Sequence, residues 1–196
     1  TGWAYPLDYY ENVGSAVQPV WQRDDSMYES LSTANWTCPE LADLDSDGDL
    51  DLLLAVAGSF RGYRNAGTPQ APLWLRDDDL VEGVSLSYPF SDPNLGDLDG
   101  DGDLDLVLGG RDGEGPVACY ENYGSSYTPM WVEQEGLLTG VPTSVGGWGL
   151  DLVDLDADGD TDLLIMRGQG PKVYLNQGPT TLVEQSSWGR IKQLFR

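Results

Sequence analysis

Fifteen aspartates fall in three nine-residue strings with Asp at every odd position: DLDSDGDLD at 43–51, DLDGDGDLD at 97–105 and DLDADGDTD at 154–162. Carboxylates at alternate loop positions can turn toward one centre. A hard divalent cation such as calcium takes six to eight oxygens at roughly 2.3–2.6 Å, which matches that supply. In the first string Asp43, Asp45, Asp47 and Asp51 are expected to offer side-chain oxygens, and Asp49 its backbone carbonyl. Asp97, Asp99, Asp101 and Asp105 repeat the pattern with Asp103 in the carbonyl position, as do Asp154, Asp156, Asp158 and Asp162 with Asp160. Gly48, Gly102 and Gly159 stand at the sixth position, where the chain must turn sharply around an ion and a residue without a Cβ reaches positive φ at little cost. Three Ca2+ sites are therefore expected. Without a cation the converging carboxylates repel one another and raise their own pKa values.

Solvated acidic turns have no reason to recur three times in one register. A helical calcium loop of the EF-hand type needs a bidentate acid at position 12 and a helix on each side. Here position 12 is Leu54, Leu108 and Ile165, and each string runs into a short apolar segment: LLLAVAG, LVLGG or LLIMRG. Runs of that length ending near glycine are strand signals.

The elements that must position these loops follow from a second pattern, Tyr-x-Asn-x-Gly with Pro and Trp at constant offsets. It appears as Tyr10, Asn12, Gly14, Pro19, Trp21, then as Tyr63, Asn65, Gly67, Pro72, Trp74, and again as Tyr120, Asn122, Gly124, Pro129, Trp131. A fourth copy, Tyr174, Asn176, Gly178, lacks Pro and Trp at those offsets. The tyrosines are 53, 57 and 54 residues apart and the acidic strings 54 and 57, so the two patterns keep step. A period near fifty residues carrying several short strands predicts an all-β fold built as a β-propeller. In each blade a first strand precedes the acidic loop (Glu40 to Leu44) and a second follows it (Leu50 to Ala57). A third carries the tyrosine (Gly62 to Asn65) and a fourth starts near the tryptophan (Leu73 to Arg76). Each loop thus joins the first and second strands. The predicted organisation is a half blade at 1–35, complete blades at about 36–84, 85–140 and 141–186, and a tail at 187–196. The recurrent Trp and Tyr positions are expected to pack blade against blade. Trp3, Trp36, Trp148 and Trp188 fall outside the register and are the better candidates for a partner surface.

Composition narrows the chemistry. A formal charge of −23 over 196 residues repels nucleic acid and anionic headgroups, so neither is expected as a partner. The absence of histidine removes Ser-His-Asp and Cys-His systems, the commonest general base and the usual zinc ligands. Seven Trp and ten Tyr argue for a packed core rather than disorder. No run approaches the ~18 apolar residues of a membrane span. Cys38 and Cys119 are either one disulfide or two thiols. Asn35-Trp36-Thr37 is an N-glycosylation sequon, and a chain that begins at Thr1 with no signal-peptide hydrophobic region reads as processed or excised.

Both repeated patterns resemble FG-GAP/VCBS repeats, the calcium-binding blades of integrin α-subunit propellers and of many secreted microbial and algal proteins. The resemblance covers about Trp3 to about Glu184. It implies calcium on the loop aspartates, with the metal loops on one face of the propeller and partners bound on the other face or between blades. It carries over no recognition site.

Three and a half blades do not close a ring, since propellers typically need about four to eight. Chain truncation, self-association or a protein partner completing the open propeller would account for that. The tail SSWGRIKQLFR, with Arg190, Lys192 and Arg196 among apolar residues, reads as a docking segment or as the start of a further blade. The function expected is a non-enzymatic, calcium-binding interaction module, a scaffold or extrinsic subunit in an extracellular or organelle-lumen compartment. A carbohydrate-binding or cell-adhesion propeller is the alternative. A carboxylate-based glycosidase or lyase stands third, because Glu114, Glu121, Glu133 and Glu135 lie outside the loops without forming a catalytic constellation.

Overall fold

The computed structural model describes residues 7–28, 31, 37–56, 58–85, 91–110, 117–125, 127–142, 149–167, 170–178 and 182–185. They form an all-β protein of four antiparallel sheets. A two-stranded sheet pairs β1 (Tyr10–Asn12) with β2 (Trp21–Arg23). Three four-stranded sheets follow in simple up-and-down order. The first holds β3 (Thr37–Ala42), β4 (Asp51–Val56), β5 (Ser59–Asn65) and β6 (Trp74–Arg76). The second holds β7 (Ser91–Gly96), β8 (Asp105–Gly110), β9 (Ala118–Asn122) and β10 (Trp131–Glu133). The third holds β11 (Gly149–Val153), β12 (Asp162–Arg167), β13 (Gly170–Asn176) and β14 (Leu182–Gln185).

The predicted strand order is found, with shifted ends. The first strand begins at Thr37 and stops at Ala42, two residues short of the expected Leu44. Chain pairing ends there because the Asp43 carboxylate accepts the Asp47 and Gly48 N–H groups at 3.2 and 3.1 Å and folds the chain into the loop. Short 3-10 turns after the fourth strands, Asp78–Val81 and Glu135–Leu138, were not foreseen. The first is capped by Asp77, whose side chain accepts the Asp79 N–H at 3.2 Å.

The core lies between sheets. β4 is buried at all six positions, the pattern of a strand covered on both faces. One apolar cluster joins Leu31, Leu52, Leu54, Tyr63 and Trp74 to Leu7 and Tyr28 of the first segment. The next packs Leu53, Leu80 and Val81 against Leu106, Leu108, Tyr120 and Trp131, and a third packs Val107, Leu137 and Leu138 against Leu150, Ile165 and Tyr174. β7 packs on both β3 and β11, so the first strands of successive sheets adjoin. Gly62 permits one close approach: a Cβ there would lie 2.3 Å from the Asp77 carbonyl oxygen and 2.7 Å from Leu80 Cβ.

The expected sheet-to-sheet packing of the repeated aromatics holds for Trp74, Trp131, Tyr63, Tyr120 and Tyr174, all buried. Trp131 Nε1–H donates to the Leu80 carbonyl of the preceding sheet at 2.9 Å, and Trp74 stacks on Tyr28 with centroids 6.1 Å apart. Tyr10 and Trp21 are corrections, 50% and 64% exposed. Their two-stranded sheet has no earlier sheet among the described residues to cover that face. Cys38 is half-buried on β3 and Cys119 buried on β9, two thiols rather than a disulfide; burial pushes the Cys119 thiol pKa up. Trp3, Trp36, Trp148, Trp188, Glu114, Asn35 and the tail 187–196 lie outside the described residues.

Candidate metal centre

Each acidic string forms the connection between the first and second strands of a four-stranded sheet. The sixth-position glycines turn as expected, with φ of +96° at Gly48, +96° at Gly102 and +97° at Gly159. The fourth position is left-handed as well: Ser46 (φ 55°), Gly100 (φ 80°) and Ala157 (φ 61°). Ser46 and Ala157 hold a conformation that costs non-glycine residues roughly 1–2 kcal/mol. Local carboxylate bonds hold the chain there. Asp97 accepts the Gly100 and Gly102 N–H groups at 2.7 and 3.1 Å, and Asp154 accepts that of Gly159 at 3.2 Å.

The loops gather carboxylates, three at a time. One oxygen each from Asp43, Asp45 and Asp51 lies within 4.8 Å of the others, and so does one each from Asp154, Asp156 and Asp162. In the second loop the close set is Asp97, Asp99 and Asp101. Fifth-position Asp47 and Asp158 stand outside these sets, as does ninth-position Asp105. Asp47, Asp99, Asp101 and Asp158 each accept the N–H two residues on, at 3.1, 3.1, 2.9 and 3.3 Å. The seventh residues Asp49, Asp103 and Asp160 donate three of those N–H groups and complete each turn.

Buried carboxylate oxygens without hydrogen-bond partners remain at Asp45, Asp49, Asp156 and Asp160. An unpaired buried anion is costly, and acceptor-only oxygens crowded in this way fit a hard cation. Burial raises the pKa of Asp51, Asp105 and Asp160 to about 6, and like-charged neighbours add to it. Burial first and neighbouring aspartates second also raise Asp49 and Asp156. Asp99 and Asp162 move upward from burial too, against opposing backbone hydrogen bonds.

One role at the ninth position escapes a reading of the strings alone. Asp51 is fully buried; its Oδ2 accepts the Leu44 N–H at 3.1 Å and its Oδ1 the Asn65 N–H at 2.9 Å. Asp105 does the same for Leu98 (3.0 Å) and Asn122 (3.1 Å), and Asp162 for Leu155 (2.9 Å) and Asn176 (2.8 Å). This carboxylate ties the loop to the asparagine of the second repeated pattern. That asparagine then holds the next turn: Asn65 Oδ1 accepts the N–H groups of Gly67 and Leu73, and Asn122 Oδ1 those of Gly124 and Met130, all at 3.0 Å. The joint recurrence of the two patterns was the available signal, although the bonded aspartate and asparagine are 14, 17 and 14 residues apart in the three sheets.

Residues 97–165, from one acidic loop through the next, match the family model described as an FG-GAP-like repeat. The chain carries an FG-GAP-like repeat. The matched stretch contains two of the three acidic loops, 97–105 and 154–162, and the first loop shares their bonding and turn geometry. Among curated proteins none matches the chain.

Between sheets the loops also line clefts. One of about 250 Å³ lies between the second and third loops, bounded by Asp97, Asp99, Asp160, Thr161 and Asn176. At the corresponding place before the first loop, a cleft of about 220 Å³ is walled instead by Tyr9, Tyr28 and Trp74 beside Asp49 and Asn65. Among the described residues no helix is long and apolar enough to cross a membrane.

Proposed function

We propose that this chain is a non-enzymatic, calcium-stabilised interaction module of the β-propeller type, binding one Ca2+ in each of its three acidic loops. Its four-stranded sheets act as blades within about 36–84, 85–140 and 141–186, and β1–β2 acts as a half blade. Each ion would draw the carboxylates of one loop together. In the first, Asp43, Asp45 and Asp51 supply the gathered oxygens, with Asp47 and the Asp49 carbonyl close by in sequence. Asp97, Asp99 and Asp101 with Asp103 and Asp105, and Asp154, Asp156 and Asp162 with Asp158 and Asp160, serve the others. The observation that carries this is the gathered triad in each loop, with buried, unpartnered carboxylate oxygens beside it in the first and third. Weak sites with dissociation constants of about 10⁻⁴–10⁻³ M suit a calcium-rich extracellular or lumenal compartment. The ring is then completed by a protein partner or a second copy.

Melting with and without calcium tests the metal sites. At ~2 mM calcium, three such sites stabilise the fold by about 2–5 kcal/mol through mass action, or roughly 5–15 °C. An unmoved melting curve in chelator rules the sites out.

The aromatic cleft of Tyr9, Tyr28 and Trp74 favours a second reading, carbohydrate binding, because aromatic rings beside polar groups suit a sugar face. A glycan array beside a pull-down from native extract separates the two: array hits abolished by Tyr9→Ala with the melting temperature unchanged favour sugar, and a specific captured protein favours the scaffold.

A further inference from the structure

We propose that the three loops bind calcium with graded affinity, and that the residue between Tyr and Asn of the second repeated pattern sets the grade. This rests on the calcium assignment above. The position is occupied by Arg64, Glu121 and Leu175 in successive sheets. Each directly precedes the asparagine whose N–H bonds to the ninth loop aspartate, so each sits beside its loop.

Arg64 acts against the ion. Its Nη1 contacts Asp45 Oδ2 at 2.6 Å, and its Nε bonds to Asp77 Oδ2, which holds the guanidinium in place. Asp45 belongs to the gathered triad of its loop. A cation entering that loop meets a fixed positive charge on one of its ligands, and drawing Asp45 wholly onto calcium breaks a charge-assisted bond. The pair is only partly exposed, 26% for Arg64 and 20% for Asp45, so water screens it incompletely. Glu121 does the reverse. Its carboxylate stands at the strand position that Arg64 holds in the first sheet, directly before Asn122, whose N–H bonds to the ninth aspartate of the second loop. A calcium ion there gains an additional nearby negative charge. Leu175 is buried and carries no charge, so the third loop is left with its own aspartates. Ligand charge is one of the levers that tune calcium loops over orders of magnitude. The expected order is the second loop tightest, the third intermediate and the first weakest.

Amide NMR during a calcium titration of the whole chain resolves the loops, because Gly48, Gly102 and Gly159 each donate an N–H to the first aspartate of its own loop. Gly102 is expected to reach half-saturation at the lowest calcium and Gly48 at the highest. Arg64→Gln removes the charge but keeps hydrogen-bond donors, and tightens the first loop roughly tenfold, as expected for one incompletely screened unit charge. Glu121→Gln weakens the second by a similar factor, again the scale of a single charge. In both variants the third loop serves as the unchanged reference. Equal midpoints in the native chain, or midpoints that ignore both substitutions, overturn the grading while leaving calcium binding intact. If no glycine amide responds to calcium, the metal assignment itself falls, and the grading with it.

Discussion

Removing the Asn122 side chain tests how the second repeated pattern holds the fold, because the same bonding recurs in two different environments. Asn122 Oδ1 accepts the N–H groups of Gly124 and Met130 at 3.0 Å each, and the residue is 6% exposed. Asn12 Oδ1 accepts those of Gly14 and Val20 at the same two distances, in an exposed turn. If bond geometry alone decided stability, alanine at either site would cost the same. Net hydrogen-bond contributions of about 0.5–1.5 kcal/mol each put Asn122→Ala at about 1–3 kcal/mol, since water reaches the freed groups poorly. At Asn12 water takes over both bonds, and the cost falls below about 0.5 kcal/mol. Urea unfolding at saturating calcium, with equal slopes for all variants, measures both; Asn122→Ala should also lower the melting temperature by roughly 2–10 °C. Asn176→Ala is a useful third point. There Oδ1 has no partner and Nδ2 donates to the Leu98 carbonyl at 3.2 Å, so only one bond is lost and the cost should fall below that at Asn122. Equal losses at Asn12 and Asn122 would refute the reasoning, since they would show that burial adds nothing to this turn.

Two further outcomes are expected. Trp131→Phe leaves the Leu80 carbonyl without its indole donor and costs about 1–2 kcal/mol in denaturant unfolding, whereas Trp21→Phe on the exposed sheet stays within about 0.5 kcal/mol; similar costs would deny the sheet-to-sheet role of Trp131. Metal-stripped protein should melt higher at pH 5 than at pH 7.5. Asp51, Asp105 and Asp160 have folded pKa values raised to about 6, so the folded state binds more protons than the unfolded chain between pH ~4 and ~6. That contribution is present at low pH and is lost as pH rises through the folded values. Calcium reverses the trend, because protons compete with it for the same oxygens. A metal-free melting temperature that climbs from pH 5 to pH 7.5 would count against the buried carboxylates.

Much of this protein is written locally. Strand order, the positive φ of Gly48, Gly102 and Gly159, and the Asn-Gly turns were legible because each depends on residues a few positions apart. The left-handed fourth position was missed since Ser46 and Ala157 carry no glycine signal; an aspartate at the head of the loop stabilises the turn instead. The ninth aspartate looked like one more ligand. Its N–H partners lie 7 and 14 residues away in the first loop, a distance over which a repeat reveals only that the two patterns recur together.

The amino-acid sequence by itself determined three acidic loops, each between two strands, and a period that repeats four times, because turn chemistry and strand alternation act over short range. Only the tertiary structure decided which equivalent residues are equivalent in energy. Trp74 and Trp131 are core while Trp21 is surface, and Arg64 contacts a loop aspartate that Leu175 cannot. Burial and charge screening belong to the neighbouring sheet and surrounding solvent, so identical motifs acquire different strengths once the sheets are stacked.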